Sequence, residues 1–210
     1  MVRGWILQVK IACKEKMKLL FEHMRIPKTY RINTERCILR CVCEQDIPHV
    51  FSATRFQGFN DGMLWEAPQS IEELHEPLQR NLQAWDFGLA YTFTITCVYT
   101  STFLGRISIR KHNEVEGVWN LGFWTHPEYQ RQGYMTEAAR AIVEFGFTVL
   151  EAERIEAYHA LWNTGSEKVL KRIGMKFVCY IPQGFQKHGK WVEENLLAIE
   201  RKDWRALKET

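Results

Sequence analysis

No apolar run in these 210 residues approaches the roughly 18 needed to cross a bilayer, so no transmembrane segment is expected. The pattern Gly-x-x-x-x-Gly-Lys-Ser/Thr is absent, and no Gly-x-Gly-x-x-Gly follows an early strand. These gaps count against a P-loop nucleotidase and a dinucleotide-binding Rossmann domain. The six cysteines (13, 37, 41, 43, 97, 179) form no Cys-x-x-Cys pair and meet no His-x-x-x-His partner, so no metal site is expected. Cys37 and Cys41 fall in or beside a strand and are read as small core hydrophobes, with the thiols reduced in a cytoplasmic setting. A net charge of +3 is too small to argue for nucleic acid as a partner. Residues 34–210 contain no repeat, low-complexity tract or linker, which leaves one domain there.

The small net charge hides an uneven distribution. Residues 1–33 hold eight Lys or Arg against Glu15 and Glu22, a local balance of +6, which leaves −3 for the rest. Within this basic extension, Ile6, Leu7, Val9, Ile11, Met17, Leu20, Phe21 and Met24 suit amphipathic helical turns. One reading packs that face against the domain or against a second copy in a homodimer. The other makes it an arm for an anionic membrane or ribosome surface. Lys10 and Lys14 interrupt the apolar core that a secretory signal would need.

Against these absences stands one informative stretch, Gln130-Arg131-Gln132-Gly133-Tyr134-Met135. It follows a strand-like run, Val118-Trp119-Asn120-Leu121-Gly122-Phe123-Trp124, and leads directly into an amphipathic helix. A strand that breaks into a glycine turn and opens a helix leaves backbone N–H groups unpaired at the positive end of the helix dipole. Such an arrangement holds phosphate or pyrophosphate, and Gly133 lets the backbone approach it closely. A phosphate-bearing cofactor is therefore expected.

The rest of the chain alternates between the periodicities of strands and helices. Strands are predicted over 36–41, 91–99, 102–111, 117–125, 154–161, 176–181 and 191–200, and helices over 44–54, 70–85, 136–150 and 166–173. Ser70 with Glu73 three residues on predicts a capping box at the start of the second helix. Residues 182–190 are read as a loop.

In this setting the segment Gln-x-x-Gly-x-Met resembles the Gln/Arg-x-x-Gly-x-Gly/Ala loop of the GNAT superfamily of acetyl-CoA-dependent N-acetyltransferases, with Met135 in place of a small residue. The run Gly133-Tyr134-Met135-Thr136-Glu137-Ala138 is similar to the ribosomal-protein-alanine acetyltransferase (RimJ/RimL) branch. Further matches follow in order. Thr34-Glu35-Arg36-Cys37-Ile38-Leu39-Arg40 with Glu44-Gln45-Asp46 resembles that branch's opening, and Phe93-Thr94-Ile95 with Leu104-Gly105-Arg106-Ile107 its central hairpin. Asn163-Thr164-Gly165-Ser166 with Ile173-Gly174-Met175-Lys176-Phe177, then Leu197-Ala198-Ile199 and Asp203-Trp204, resemble its closing segments. The resemblance covers residues 34–204. It implies an α/β GNAT fold, with a mixed sheet of about seven strands splayed between the fourth and fifth and flanked by helices.

The resemblance also implies a chemistry: transfer of an acetyl group from acetyl-CoA to a primary amine, on a protein N-terminus or a small molecule, by direct attack in a ternary complex. Loop residues Gln130, Arg131, Gln132, Gly133, Tyr134 and Met135 would hold the pyrophosphate. Phe123, Trp124 and Thr125 would supply backbone groups to the pantetheine arm, and a backbone N–H of that strand would polarise the thioester. Asn163 would bind pantetheine or order a water, and its position also suits a helix N-cap. Ser166 would protonate the leaving thiolate, since the Tyr that other family members use four residues on is Leu170 here. For the general base His159, His188, Glu193 and Glu66 are the candidates, with a water relay as the alternative. Phe59, Trp65, Phe123, Trp162 and Phe185 are read as lining the acceptor cleft. The competing reading is a non-catalytic CoA-binding or regulatory domain on the same scaffold.

Overall fold

The computed structural model describes residues 26–112 and 115–208. The amphipathic stretch between Ile6 and Met24 lies outside the described residues. Eight strands form one sheet: β1 (Arg31–Asn33), β2 (Cys37–Cys41), β3 (Ala90–Cys97), β4 (Phe103–Lys111), β5 (Val118–Thr125), β6 (Arg154–Ala160), β7 (Lys176–Lys187) and β8 (Lys190–Glu200). Their spatial order is β1-β2-β3-β4-β5-β6-β8-β7. All neighbours are antiparallel except β5 and β6. The helices are α1 (Ile47–Thr54), α2 (His75–Asp86), α3 (Tyr134–Thr148), α4 (Thr164–Arg172) and α5 (Arg201–Lys208). The strand beyond the expected seven is β1, which comes from residues assigned by sequence to the extension.

β3 explains why the sheet is covered on both sides. All eight of its residues are buried. Tyr91, Phe93 and Ile95 face α3, where Phe145 packs edge-on to the rings of Tyr91 and Phe93. Each such ring removed from water contributes roughly 1.5–3 kcal/mol. Thr92, Thr94 and Thr96 point to the opposite face, and their hydroxyls bond Asn81 of α2, Asp46 and the Ile38 carbonyl. Ala138, Ala139 and Gly146 let α3 sit close to the sheet. A Cβ at Gly146 would stand 2.7 Å from a methyl of Ile155 and 2.8 Å from one of Ile109. Cys37 and Cys41 are buried as expected, and burial pushes both thiols up to about 11.

Three local expectations are corrected. The capping box at Ser70 does not form. The chain enters through a 3-10 turn at Glu72–Leu74, and the Glu73 carboxylate accepts from the Gln69 amide at 3.0 Å instead. The predicted start at 44 is likewise a 3-10 turn, Glu44–Asp46, running into α1. The expected loop at 182–190 is mostly strand. β7 runs on to Lys187 and turns tightly into β8 through His188 and Gly189, both at positive φ (49° and 74°), the geometry of a two-residue hairpin turn. Pro182 and Gly184, which read as loop punctuation, fall where the β7–β8 register shifts between Ile181 and Phe185.

Candidate active site

β5 and β6 pair for three rungs only: Val118 with Arg154, Trp119 with Ile155, Asn120 with Glu156. Beyond them β5 follows β4 as far as Thr125, while β6 follows β8 as far as Ala160. The two strands therefore part, and among the described residues no strand pairs with the inner edge of β5 at 121–125. Because cross-strand partners share a face, Leu121, Phe123 and Thr125 point to the α3 side, whereas Asn120, Gly122 and Trp124 point to the α1 side. The expected splay is present, and Phe123, Trp124 and Thr125 lie on its open edge.

At the end of that edge the chain makes the phosphate-type loop. A 3-10 turn (Pro127–Tyr129) leads into Arg131 at φ 62° and Gly133 at φ 83°, and Gly133 is the N-cap of α3. These two left-handed residues reverse the backbone at the start of the helix. Among the described residues no hydrogen bond engages the amides of 131–136, and the first helical bond runs from Glu137 N–H to the Gly133 carbonyl. Six unpaired donors at and just before the positive end of a 15-residue helix are the arrangement that suits an anion. Met135 is 7% exposed and belongs to the core, so its size does not intrude on the loop.

The loop is fixed from the β1–β2 corner. The Arg36 guanidinium donates to the Gln132 carbonyl (3.1 Å) and to Glu137 (2.7 Å), and stands 4.8 Å from the Tyr134 ring centre. Glu137 also accepts from the Arg36 amide (2.7 Å) and the Thr34 hydroxyl (2.5 Å). Burial opposes the charge on Glu137, but these donors outweigh it and hold the carboxyl below its ordinary range.

On the other bank, Asn163 is the N-cap of α4, its side chain accepting from the Ser166 amide at 3.1 Å. That places Ser166 in the first turn of α4, partly exposed, while Leu170 is buried one turn on. His159 sits on the α3/α4 face of β6, 4% exposed, with Nδ1 2.9 Å from the Ala160 carbonyl. A carbonyl can only accept, so in the neutral ring Nδ1 carries the proton and Nε2 keeps a lone pair. Nε2 is buried without a partner.

The α1 side of the gap is crossed by residues 59–66. Phe59 packs edge-on to Trp124 (5.2 Å) and to Trp65 (6.3 Å). A Cβ on Gly62 would be 3.0 Å from the Trp162 ring and 3.4 Å from the Asn163 amide. Lys187, on β7 and only 6% exposed in its side chain, donates to the carbonyls of Met63 (3.2 Å) and Trp65 (3.0 Å) and pairs with Glu66 (3.0 Å). This segment thus touches β5, the β6–α4 corner and β7 at once. Nothing in the sequence marks Lys187, whose partners lie more than 120 residues away.

The base candidates separate clearly. His188 is exposed at the hairpin tip, Glu66 is tied to Lys187, and Glu193 accepts from the Tyr180 hydroxyl. Phe185 is buried and Trp162 largely exposed. Sequence reasoning misses two groups. Glu194 lies opposite Ala160, at the end of β6 and on the Trp124 side of the sheet. Its side chain rests against Gly184, where a Cβ would collide with it, and burial raises its carboxyl above the ordinary range. His126, buried just after β5, lies 3.4 Å from the Ser52 hydroxyl, and burial lowers its pKa.

Residues 36–176 match the acetyltransferase (GNAT) domain family. The chain belongs to the GNAT acetyltransferase family. It is a GNAT N-acetyltransferase, and the family's acyl donor is acetyl-CoA. Among relatives, it is 35% identical to the uncharacterized N-acetyltransferase YnaD of Bacillus subtilis (strain 168) over 89 residues, 42% of this chain and 52% of YnaD, so it spans about half of that relative. It is 25% identical to the uncharacterized N-acetyltransferase YoaA of the same organism over 178 residues, 80% of this chain and 95% of YoaA. Among solved structures, the GNAT-family acetyltransferase from Bacillus anthracis superposes with a TM-score of 0.74 at 24% identity, covering 82% of this chain and 99% of that one. RimL, a ribosomal-protein alpha-N-acetyltransferase solved with coenzyme A, gives 0.74 at 19%, covering 81% and 98%. At these identities the likeness concerns the fold. No helix among the described residues is long and apolar enough to cross a membrane.

Lys187→Ala leaves two carbonyls without their donor. It is expected to lower stability by about 1–3 kcal/mol and to speed amide exchange across 59–66. Thermal unfolding and hydrogen exchange check this, and unchanged exchange there would refute the anchoring role.

Proposed function

We propose that the protein transfers the acetyl group of acetyl-CoA to a primary amine in a ternary complex. The observation that carries this reading is the open edge of β5 ending in the unpaired amides of 131–136. The amides would hold the pyrophosphate, with Gln130 bracing the turn through its bond to the Thr125 carbonyl (3.4 Å). The pantetheine arm would pair along 121–125 in the manner of an added strand, and a backbone N–H there would polarise the thioester carbonyl.

The faces of the sheet divide the roles. A donor anchored at the start of α3 approaches from the α3/α4 side, where Ser166, Asn163 and His159 lie. The amine then enters from the α1 side, past Trp124 and residues 59–66. The amine nitrogen attacks the thioester carbon, the C–S bond breaks, and the thiolate takes a proton from the Ser166 hydroxyl, which recovers one from solvent water. The proton lost by the amine passes to Glu194, directly or through a water. His159 faces the donor side, so it suits support of the departing sulfur better than deprotonation of the amine. Glu194, raised by burial and on the amine's side, suits the base.

Two measurements test the reading. Calorimetric titration with acetyl-CoA followed by a thiol-release assay against amines should show binding and turnover. Gly133→Glu puts a negative side chain at the phosphate position and is expected to weaken acetyl-CoA binding by ~100-fold or more, about 2.7 kcal/mol. Normal binding by that variant would displace the site. For the base, the sign follows from the raised carboxyl: activity is full above that raised value and lost as pH falls through it. Glu194→Gln should cut kcat by about 10²–10⁴ and remove that acidic limb. An unaltered profile of kcat against pH would exclude Glu194.

A further inference from the structure

A cross-strand row on the α1 face runs Arg40, Thr94, Arg106, Trp124 across β2, β3, β4 and β5. Asp46, 1% exposed, lies over one end of it. Its carboxylate accepts from the Arg40 guanidinium (2.6 and 3.1 Å), the Thr94 hydroxyl (2.6 Å) and the Cys43 amide (2.9 Å). The carboxyl is held below its ordinary range by these bonds, against the effect of burial. Asp46 is therefore fully engaged by Arg40 and its neighbours.

Arg106 is the surplus charge. Among the described residues it makes no hydrogen bond or ion pair, and its Nε is buried without a partner. Burial draws the guanidinium down to about 10, with Asp46 pulling the other way, so it still carries its proton at neutral pH. Two guanidiniums and one carboxylate leave this enclosed row with an excess positive charge. A largely buried charge without a counter-ion is unfavourable unless something on the outside completes it, and a planar guanidinium is best completed by a carboxylate.

Its place in the site says what that something is. Arg106 sits directly beside Trp124, one strand in from the open edge of β5. The next rung along the same face is Ser108 with Gly122, two small residues that leave room above the sheet. Phe103 and Phe59 wall the Trp124 ring at 5.7 and 5.2 Å. The side chain remains partly open to solvent, so a ligand on this face can reach it. Residues 59–66, held by Lys187 and packed on Trp124 and Trp162, flank the approach from the α1 side.

We propose that Arg106 anchors a carboxylate of the acceptor, making the substrate a small amino acid whose amine is thereby aimed at the thioester. This rests on the proposed acetyl transfer, with the acceptor on the α1 face. The test compares amino acids with their amides and decarboxylated amines in the thiol-release assay, for the wild type, Arg106→Gln and Arg106→Lys. The wild type is expected to favour the acids in kcat/KM by roughly 10- to 100-fold. Arg106→Gln should abolish that preference by raising KM, and Arg106→Lys should restore part of it. Equal turnover of acid and amide by the wild type, or a preference for peptide N-termini, would overturn the proposal.

A second readout does not depend on turnover. Calorimetry on the CoA complex measures binding of N-acetylamino acids and of their amides. Selective binding of the acids by the wild type and not by Arg106→Gln, with no turnover of any amine, would keep the Arg106 site and sink acetyl transfer. Equal binding of acids and amides would sink the Arg106 site alone. The unfolding temperature of Arg106→Gln separates a structural role: a guanidinium without partners should be removable with no loss, and a marked fall would show that it serves the fold.

Discussion

The parting of β5 and β6 is the constraint on which the rest depends. A continuous sheet would satisfy every backbone group along both strands. Here each strand keeps its outer partner and gives up its inner one after Asn120 and Glu156. The backbone donors and acceptors along 121–125 that face away from β4 have no ladder partner, which suits them to an extended ligand. Both helices that open at this end of the sheet, α3 and α4, start beside the gap because each directly follows one of its strands. One geometric event thus brings together an extended edge, a helix start with unpaired amides and the cap of a second helix.

Keeping that gap in shape falls to side chains from elsewhere in the chain. Arg36 and Thr34 bind Glu137 and so tie the loop before α3 to the β1–β2 corner. Gly105 allows β4 to run against the end of β5, since a Cβ there would collide with the Trp124 carbonyl oxygen. On the α1 side Lys187 secures residues 59–66. The two sides of the sheet therefore differ in character: one is shaped by backbone amides, the other by aromatic rings and isolated charges. That asymmetry fits a donor whose recognition is mostly through phosphate and amide groups, and an acceptor selected by side chains.

What is legible in the sequence is local or tied to family likeness. The turn at Gln130–Met135 can be read because a glycine between a strand pattern and a helix pattern marks a helix start. The hydrophobic periodicity of α3 and of β3 to β6 places them within a few residues. Asn163 is readable as a cap because capping is a three-residue interaction. The β7–β8 hairpin escapes such reading because Pro182 and Gly184 signal a loop, whereas here they sit in a strand whose register shifts. The settings of Asp46, Arg106, Lys187 and Glu194 are not legible at all. Their environments come from cross-strand neighbours and from segments far along the chain, so neither spacing nor composition distinguishes them from solvated charges. The splay itself comes from resemblance, since no residue pattern announces where two strands stop pairing.

The most direct test of this account is hydrogen exchange with and without coenzyme A. If the open edge and the loop form one donor site, the gap-facing amides of 121–125 and those of 131–136 slow together on saturation, while those of β7 and β8 do not change. Saturable binding that leaves both segments exchanging at their free rates would contradict it.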